Sequence, residues 1–162
     1  RPRPARTGRP PPPPALPEVE ALRQQVLGGD RQGARAGLHQ RLAARPGDAD
    51  AWTLLAQLEA RDGRPDDAVA AWREVIARGS PAAAQRARFE AAVLLERRPA
   101  EVIPLLEVFL ASPDPLAAEA GLRLGRARLA VGDREGAVRA LEQVAREHPG
   151  TGPAAEALQL SK

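Results

Sequence analysis

The chain has 162 residues, 24 of them basic and 21 acidic, with a formal charge of +3. It has no cysteine, no methionine and four aromatic side chains (Trp52, Trp72, Phe89, Phe109). This excludes disulfides, thiolate metal sites and cysteine nucleophiles and leaves Leu, Val and Ala to form any core. The positive charge is not a nucleic-acid signature: Arg1, Arg3, Arg6 and Arg9 precede the first acid, Glu18, and beyond them 20 basic residues face 21 acidic ones, without the basic excess of a nucleic-acid module.

The first 17 residues, RPRPARTGRPPPPPALP, hold eight of the 17 prolines, a composition that favours an extended polyproline II spacer over helix or central strand. Residues 1–14 therefore read as a proline-rich linker or arm. A stiff linker is the simpler reading, a ligand for an SH3- or WW-like groove the sharper one. The missing methionine, including at position 1, points to a processed protein or an excised fragment. Twenty-three arginines against the single Lys162 fit a GC-rich, bacterial genome. No apolar stretch approaches the roughly 20 residues of a membrane helix, so no direct membrane insertion is expected, and no signal peptide is visible.

From residue 15 to 162 the chain is a succession of helix–break–helix units. The first, 15–46, breaks at Gly29 and resumes through Ala34 and Leu38 to Pro46. The second, 49–81, comes after the capping residue Asp48; Trp52, Leu55 and Ala56 mark its first helix, Gly63 the break, and Ala68 and Trp72 the second helix. The third, 83–114, departs from the pattern: Glu90 comes after Phe89, Arg97 stands at the break and Val102 at the small position. Pro104 requires its second helix to start at about Glu101 or later, or to bend there. The third unit is thus expected to be the least stable, with Arg97→Gly stabilising it if Arg97 holds a left-handed cap. The fourth, 118–149, returns to pattern through Leu124, Gly125, Gly132, Ala137, Leu141 and Pro149. A last helix, 153–161, reads as a terminal cap.

Four columns keep one period. The small residue of the second helix falls at Ala34, Ala68, Val102 and Ala137, with spacings of 34, 34 and 35, and the large residue four positions on falls at Leu38, Trp72, Leu106 and Leu141. Breaks and second-helix ends keep the same register, and a period near 34 marks a stacked array. On these residues the chain resembles the tetratricopeptide repeat family over about nine-tenths of its length. The resemblance implies an all-α fold, a right-handed solenoid of helical hairpins, and a protein–protein interaction scaffold. The phrase REHPGTGPAAEALQL also resembles the inter-repeat phrase of bacterial envelope repeat proteins such as those of the Tol–Pal system, which leans the localisation towards the cell envelope.

Catalysis is not expected. The serines lie at or near helix ends or the terminus, and His39 and His148 belong to different units and share no metal-ligand spacing. Asp66 and Asp67 suit a helix first turn, and GDREGA lacks phosphate-loop spacing and a lysine. No cofactor and no metal are implied. What remains is the surface, where the resemblance implies a concave groove lined by first helices. The mapped candidates are Val19, Arg23 and Val26; Thr53, Gln57 and Arg61; Ala87, Ala91, Leu94 and Leu95; and Leu122, Arg126 and Leu129. Leu94 and Leu95 have an alternative place between helices, because periodicity does not separate two buried faces. The family's chaperone-tail clamp, which uses Asn and Lys, has no counterpart in a chain with no Asn and one Lys. The strip suits an apolar or acidic protein segment; the alternative is architectural packing or self-association without a separate ligand.

Overall fold

The computed structural model describes residues 16–162. Among them are nine α-helices and no strand: α1 (Val19–Leu27), α2 (Arg31–Ala44), α3 (Ala49–Arg61), α4 (Pro65–Arg78), α5 (Pro81–Leu94), α6 (Pro99–Leu110), α7 (Ala117–Ala130), α8 (Arg134–Glu147) and α9 (Gly152–Leu160). Each packs on the next along the chain, and α1 also meets α3 and α7 meets α9, so the helices stack as successive hairpins rather than around one centre. The arm assigned to residues 1–14 lies outside the described residues.

Short polar residues start these helices. Asp30, Asp48, Ser80, Asp133 and Thr151 accept hydrogen bonds from the N–H of Gly33, Ala51, Ala83, Gly136 and Ala154, each satisfying one of the otherwise orphaned first-turn donors. Within units one, two and four the turn is three residues long and closes on a glycine at positive φ: Gly29 (92°), Gly63 (71°) and Gly132 (84°). The residue after each glycine donates back to the last turn, as Arg64 N does to Glu59 O at 2.9 Å, which is the Schellman closure that a left-handed glycine permits.

The third unit solves this turn differently. Four residues, Leu95 to Arg98, join α5 to α6, and no non-glycine residue among those described has positive φ. The extra residue lets the chain reverse with ordinary backbone angles, closed by Arg98 N on Leu95 O at 2.6 Å. Arg97 is therefore not strained, and the expectation that a glycine there would help is corrected. Of the two outcomes expected at Pro104, the late start is corrected. Helix α6 begins at Pro99, ahead of Glu101, so Pro104 lies inside it and removes the N–H that would have bonded Ala100. Gln85 of α5 donates to Phe109 O at 2.5 Å, satisfying a carbonyl at the C-terminal end of α6. Phe109 meets Phe89 with ring centroids 5.4 Å apart.

The core runs the length of the stack in three contiguous parts: around Leu22, Leu38, Leu55 and Trp72, around Leu95, Leu106, Phe109 and Leu124, and around Leu122, Leu141, Ala154 and Ala157. Burying each Leu contributes about 1.5–3 kcal/mol. Helices α7 and α8 approach closely because α7 has Gly121 and Gly125 at the contact. A Cβ there would meet Val144 Cγ2 at 2.4 Å and Leu141 Cδ2 at 2.5 Å. α9 covers the fourth pair by burying Ala154 and Ala157.

Charges stitch neighbouring units. Arg35 of α2 reaches Glu59 of α3 at 2.7 Å and also Asp62. Arg41, buried at the end of α2, donates to Asp48 at 2.7 Å and to Pro17 O at 2.9 Å, tying the α1 entry, α2 and the α3 cap together. Burial pushes the Asp48 carboxyl up, but the Ala51 N–H and Arg41 outweigh it and hold the group below its ordinary value. Asp62 is held low by its Arg35 hydrogen bond, against desolvation, with help from Arg31.

Gly63→Ala should cost about 1 kcal/mol in urea unfolding, as a Cβ at positive φ requires, whereas Arg97→Gly should give no gain, because it only loosens the unfolded chain. Amide exchange should be faster in 97–112 than in 66–78, reflecting the bond lost at Pro104; equal protection would contradict it. Because Asp48 and Asp62 titrate lower when folded, their stabilisation is complete above the unfolded carboxylate value of about 4 and is lost as pH falls through the folded values. Acid titration of unfolding should show stability declining below about pH 4, and Asp48→Asn should remove part of that decline.

Candidate functional site

The helix stack distributes the groove candidates unevenly. Arg23, Arg61 and Arg126 are exposed, Leu129 is 36% exposed, and Val19, Val26, Thr53, Gln57 and Leu94 are half-buried. Ala87, Ala91, Leu95 and Leu122 are not on the surface at all, with relative exposures of 0%, 0%, 1% and 3%. Ala87 and Ala91 pack into the core shared with α3 and α4, and Leu122 packs into the part that α9 closes. These four are packing residues, and the expected continuous apolar strip is interrupted at its centre.

The three arginines differ in their company. Arg23 pairs along its own helix with Glu20 at 3.2 Å. Arg61, in the last turn of α3, makes no ion pair among the described residues. Arg126 reaches across to Glu156 of α9. Thr53 is turned inward on its own helix, donating to Ala49 O at 2.8 Å.

Arg126 also borders a recess of about 220 Å³ where the α5–α6 turn meets α7. Ala92, Val102, Ala127 and Ala130 supply its apolar wall, and Arg123, Arg126 and Glu96 its charges. Arg123 Nε is buried without an aligned hydrogen bond, although Glu119 Oε1 lies 2.8 Å away; charge rather than geometry joins that pair. Arg123 also faces Glu96 at 3.7 Å, so Arg126 is the guanidinium at this recess that suits a carboxylate attached to an apolar stem.

A larger cleft, about 830 Å³, opens between α6 and α8 with α7 as its floor. Leu110, Ala111, Ala117, Gly121, Leu124 and Val144 give it an apolar base. Arg128 crosses its edge, donating to Glu107 at 2.6 Å and to Gly136 O at 3.0 Å. Sequence reasoning missed this cleft. Its signal was the connection from Ala111 to Leu116, six residues where the other inter-unit connections have two to four, with Asp114 between two prolines.

His148 lines the cleft while His39 is exposed on α2. Among the described residues no group of three or more His, Cys, Asp or Glu could hold a metal ion, and no helix is long and apolar enough to cross a membrane.

A family model described as tetratricopeptide repeat matches residues 119–151. No curated protein matches the chain by sequence. Solved structures do match by fold. MamA from Desulfovibrio magneticus RS-1 superposes with a TM-score of 0.66 at 16% identity, covering 90% of this chain and 93% of its own. Another MamA structure gives 0.67 at 19%, covering 88% and 85%. YrrB, described as a TPR protein with an unusual peptide-binding site, gives 0.70 at 14%, covering 88% and 72%. Each likeness, at under 25% identity, shows the fold alone. The chain thus carries a tetratricopeptide repeat at 119–151, and its described helices take the tetratricopeptide-repeat fold, an all-α solenoid of helical hairpins.

Proposed function

We propose that the array is a protein-interaction scaffold that holds a short apolar or acidic segment of another protein along its first helices, anchored at Arg126. The observation that carries this reading is the recess beside Arg126, where an exposed arginine borders an apolar wall. An incoming carboxylate takes the place of Glu156 on the Arg126 guanidinium, whose forked donors suit two oxygens at once. Apolar side chains of the same segment cover Ala130 and Leu129, and Arg61 offers a second, unpaired charge further along. Apolar contact supplies most of the affinity and charge sets orientation and encounter rate. The peptide-binding site named for YrrB supports a like use of this fold.

The architectural reading has an observation of its own: α9 leaves Leu158 54% exposed on the end of the stack, where a further helix would fit. Sedimentation of the full chain separates the two readings. A concentration-dependent dimer abolished by Leu158→Glu favours stacking, and a monomer favours the groove.

A short probe peptide of Leu and Glu, titrated into the full chain, tests the groove. Arg126→Glu should weaken its binding by about tenfold, or ~1.4 kcal/mol, with helical content unchanged. Glu156→Gln should strengthen binding by removing the internal competitor. Arg146→Glu, on the exposed face of α8, should change little; if it weakens binding as much as Arg126→Glu, the groove assignment fails.

A further inference from the structure

We propose that the cleft between α6, α7 and α8 is the docking site of the chain's own first fifteen residues. Its shape comes from the irregular third unit: α6 ends at Leu110, the connection to α7 takes six residues, and the space left between α6 and α8 reaches about 830 Å³ over an apolar floor. That volume is in the range of sites that bury a drug-sized ligand, enough for the side chains of a short stretch of the arm.

The charges around the cleft specify the occupant. Glu107 is answered by Arg128 at 2.6 Å, and Arg139 faces Glu135 at 3.6 Å. Asp114 and Glu147 have no cationic partner among the described residues: Asp114 accepts from the Leu116 N–H at 2.8 Å, and Glu147 from the Gln143 amide at 3.1 Å. The cleft therefore presents two unneutralised carboxylates beside an apolar base and calls for a cationic, weakly polar segment. Residues 1–15 carry Arg1, Arg3, Arg6 and Arg9, seven prolines and no acid. Proline brings no N–H that an apolar floor would strand, and arginine lays its stem on apolar surface while its head meets a carboxylate.

Position and reach agree with charge. Arg41 holds the Pro17 carbonyl beside Asp48, so the arm leaves the array at the end where second helices finish and first helices begin. The connection 111–116 and residues Glu147 and His148, which form one side of the cleft, lie at that same end. Fifteen residues reach at most about 50 Å when extended. The helix-by-helix path from α1 through α3, α4, α5 and α6 to α7 is about 40–50 Å at 8–10 Å per packed pair, and the direct line is shorter. Arg6 and Thr7, eleven and ten residues ahead of Pro17, reach about 35–40 Å, so one copy supplies both arm and cleft along that direct line.

The absence of cysteine allows a single spin label to test this in the full chain. A nitroxide at Thr7→Cys should attenuate the amide signals of Ala111, Ala117, Gly121 and Val144 at least about twofold, and about 1 M salt should relieve the effect by screening the charges. Asp114→Asn with Glu147→Gln, changes that keep the turn cap and the helix, should abolish it, as should Arg6→Glu with Arg9→Glu. Attenuation spread evenly over the array, focused on the first-helix face, or unchanged in those variants would overturn the proposal. So would attenuation carried between spin-labelled and isotope-labelled copies in a mixed sample, which assigns the cleft to a second copy's arm.

Discussion

Each unit depends on one contact, the place where its second helix lies against the first. Ala34, Ala68 and Ala137 occupy it with no exposed surface, and their single methyl groups let two backbones approach to a distance that larger side chains forbid. Hairpins formed this way bury only part of their apolar surface, so each must stack on the next, and the array grows by nearest-neighbour contacts. In the fourth unit the same requirement reappears on the first helix as Gly121 and Gly125, which leave room for Val144 and Leu141.

In the third unit that contact is enlarged. Val102 replaces the alanine, Pro104 withdraws one backbone bond, and the turn gains a residue. The unit still packs, because Phe109 is buried against Phe89 and Gln85 satisfies the Phe109 carbonyl. Its second helix is short, however, and the chain needs six residues to reach α7. The cleft beside α8 is the geometric consequence. A packing defect relative to the repeat and a candidate docking surface are here the same feature.

Electrostatics is arranged on two scales. Between units, opposite charges meet with their signs exchanged: Glu59 of α3 takes Arg35 of the preceding helix, while Arg128, at the same repeat position of α7, takes Glu107 of the preceding helix, one turn further along than Arg35. On the scale of the whole chain, four arginines are gathered in the first nine residues and the remainder is close to neutral. The first arrangement fixes register between neighbours. The second separates a cationic arm from a body that retains unneutralised carboxylates, a condition for attraction between them.

Periodicity alone determined the class of fold, the number of hairpins, the turn glycines at 29, 63 and 132 and the identity of the core columns, because these are properties of spacing and of single backbone angles that recur with each unit. It did not determine which first-helix positions reach solvent. Ala87 and Leu122 stand in the same column as the half-buried Thr53, yet both are buried, since burial depends on the neighbours that each unit meets and not on its own pattern. Nor did it reveal that Arg97 escapes strain through one added residue, that Arg126 is engaged by Glu156, or that a cleft opens beside α8. Those were decided in three dimensions, where helix lengths and connection lengths that differ by a few residues change the distance between elements far apart in the chain.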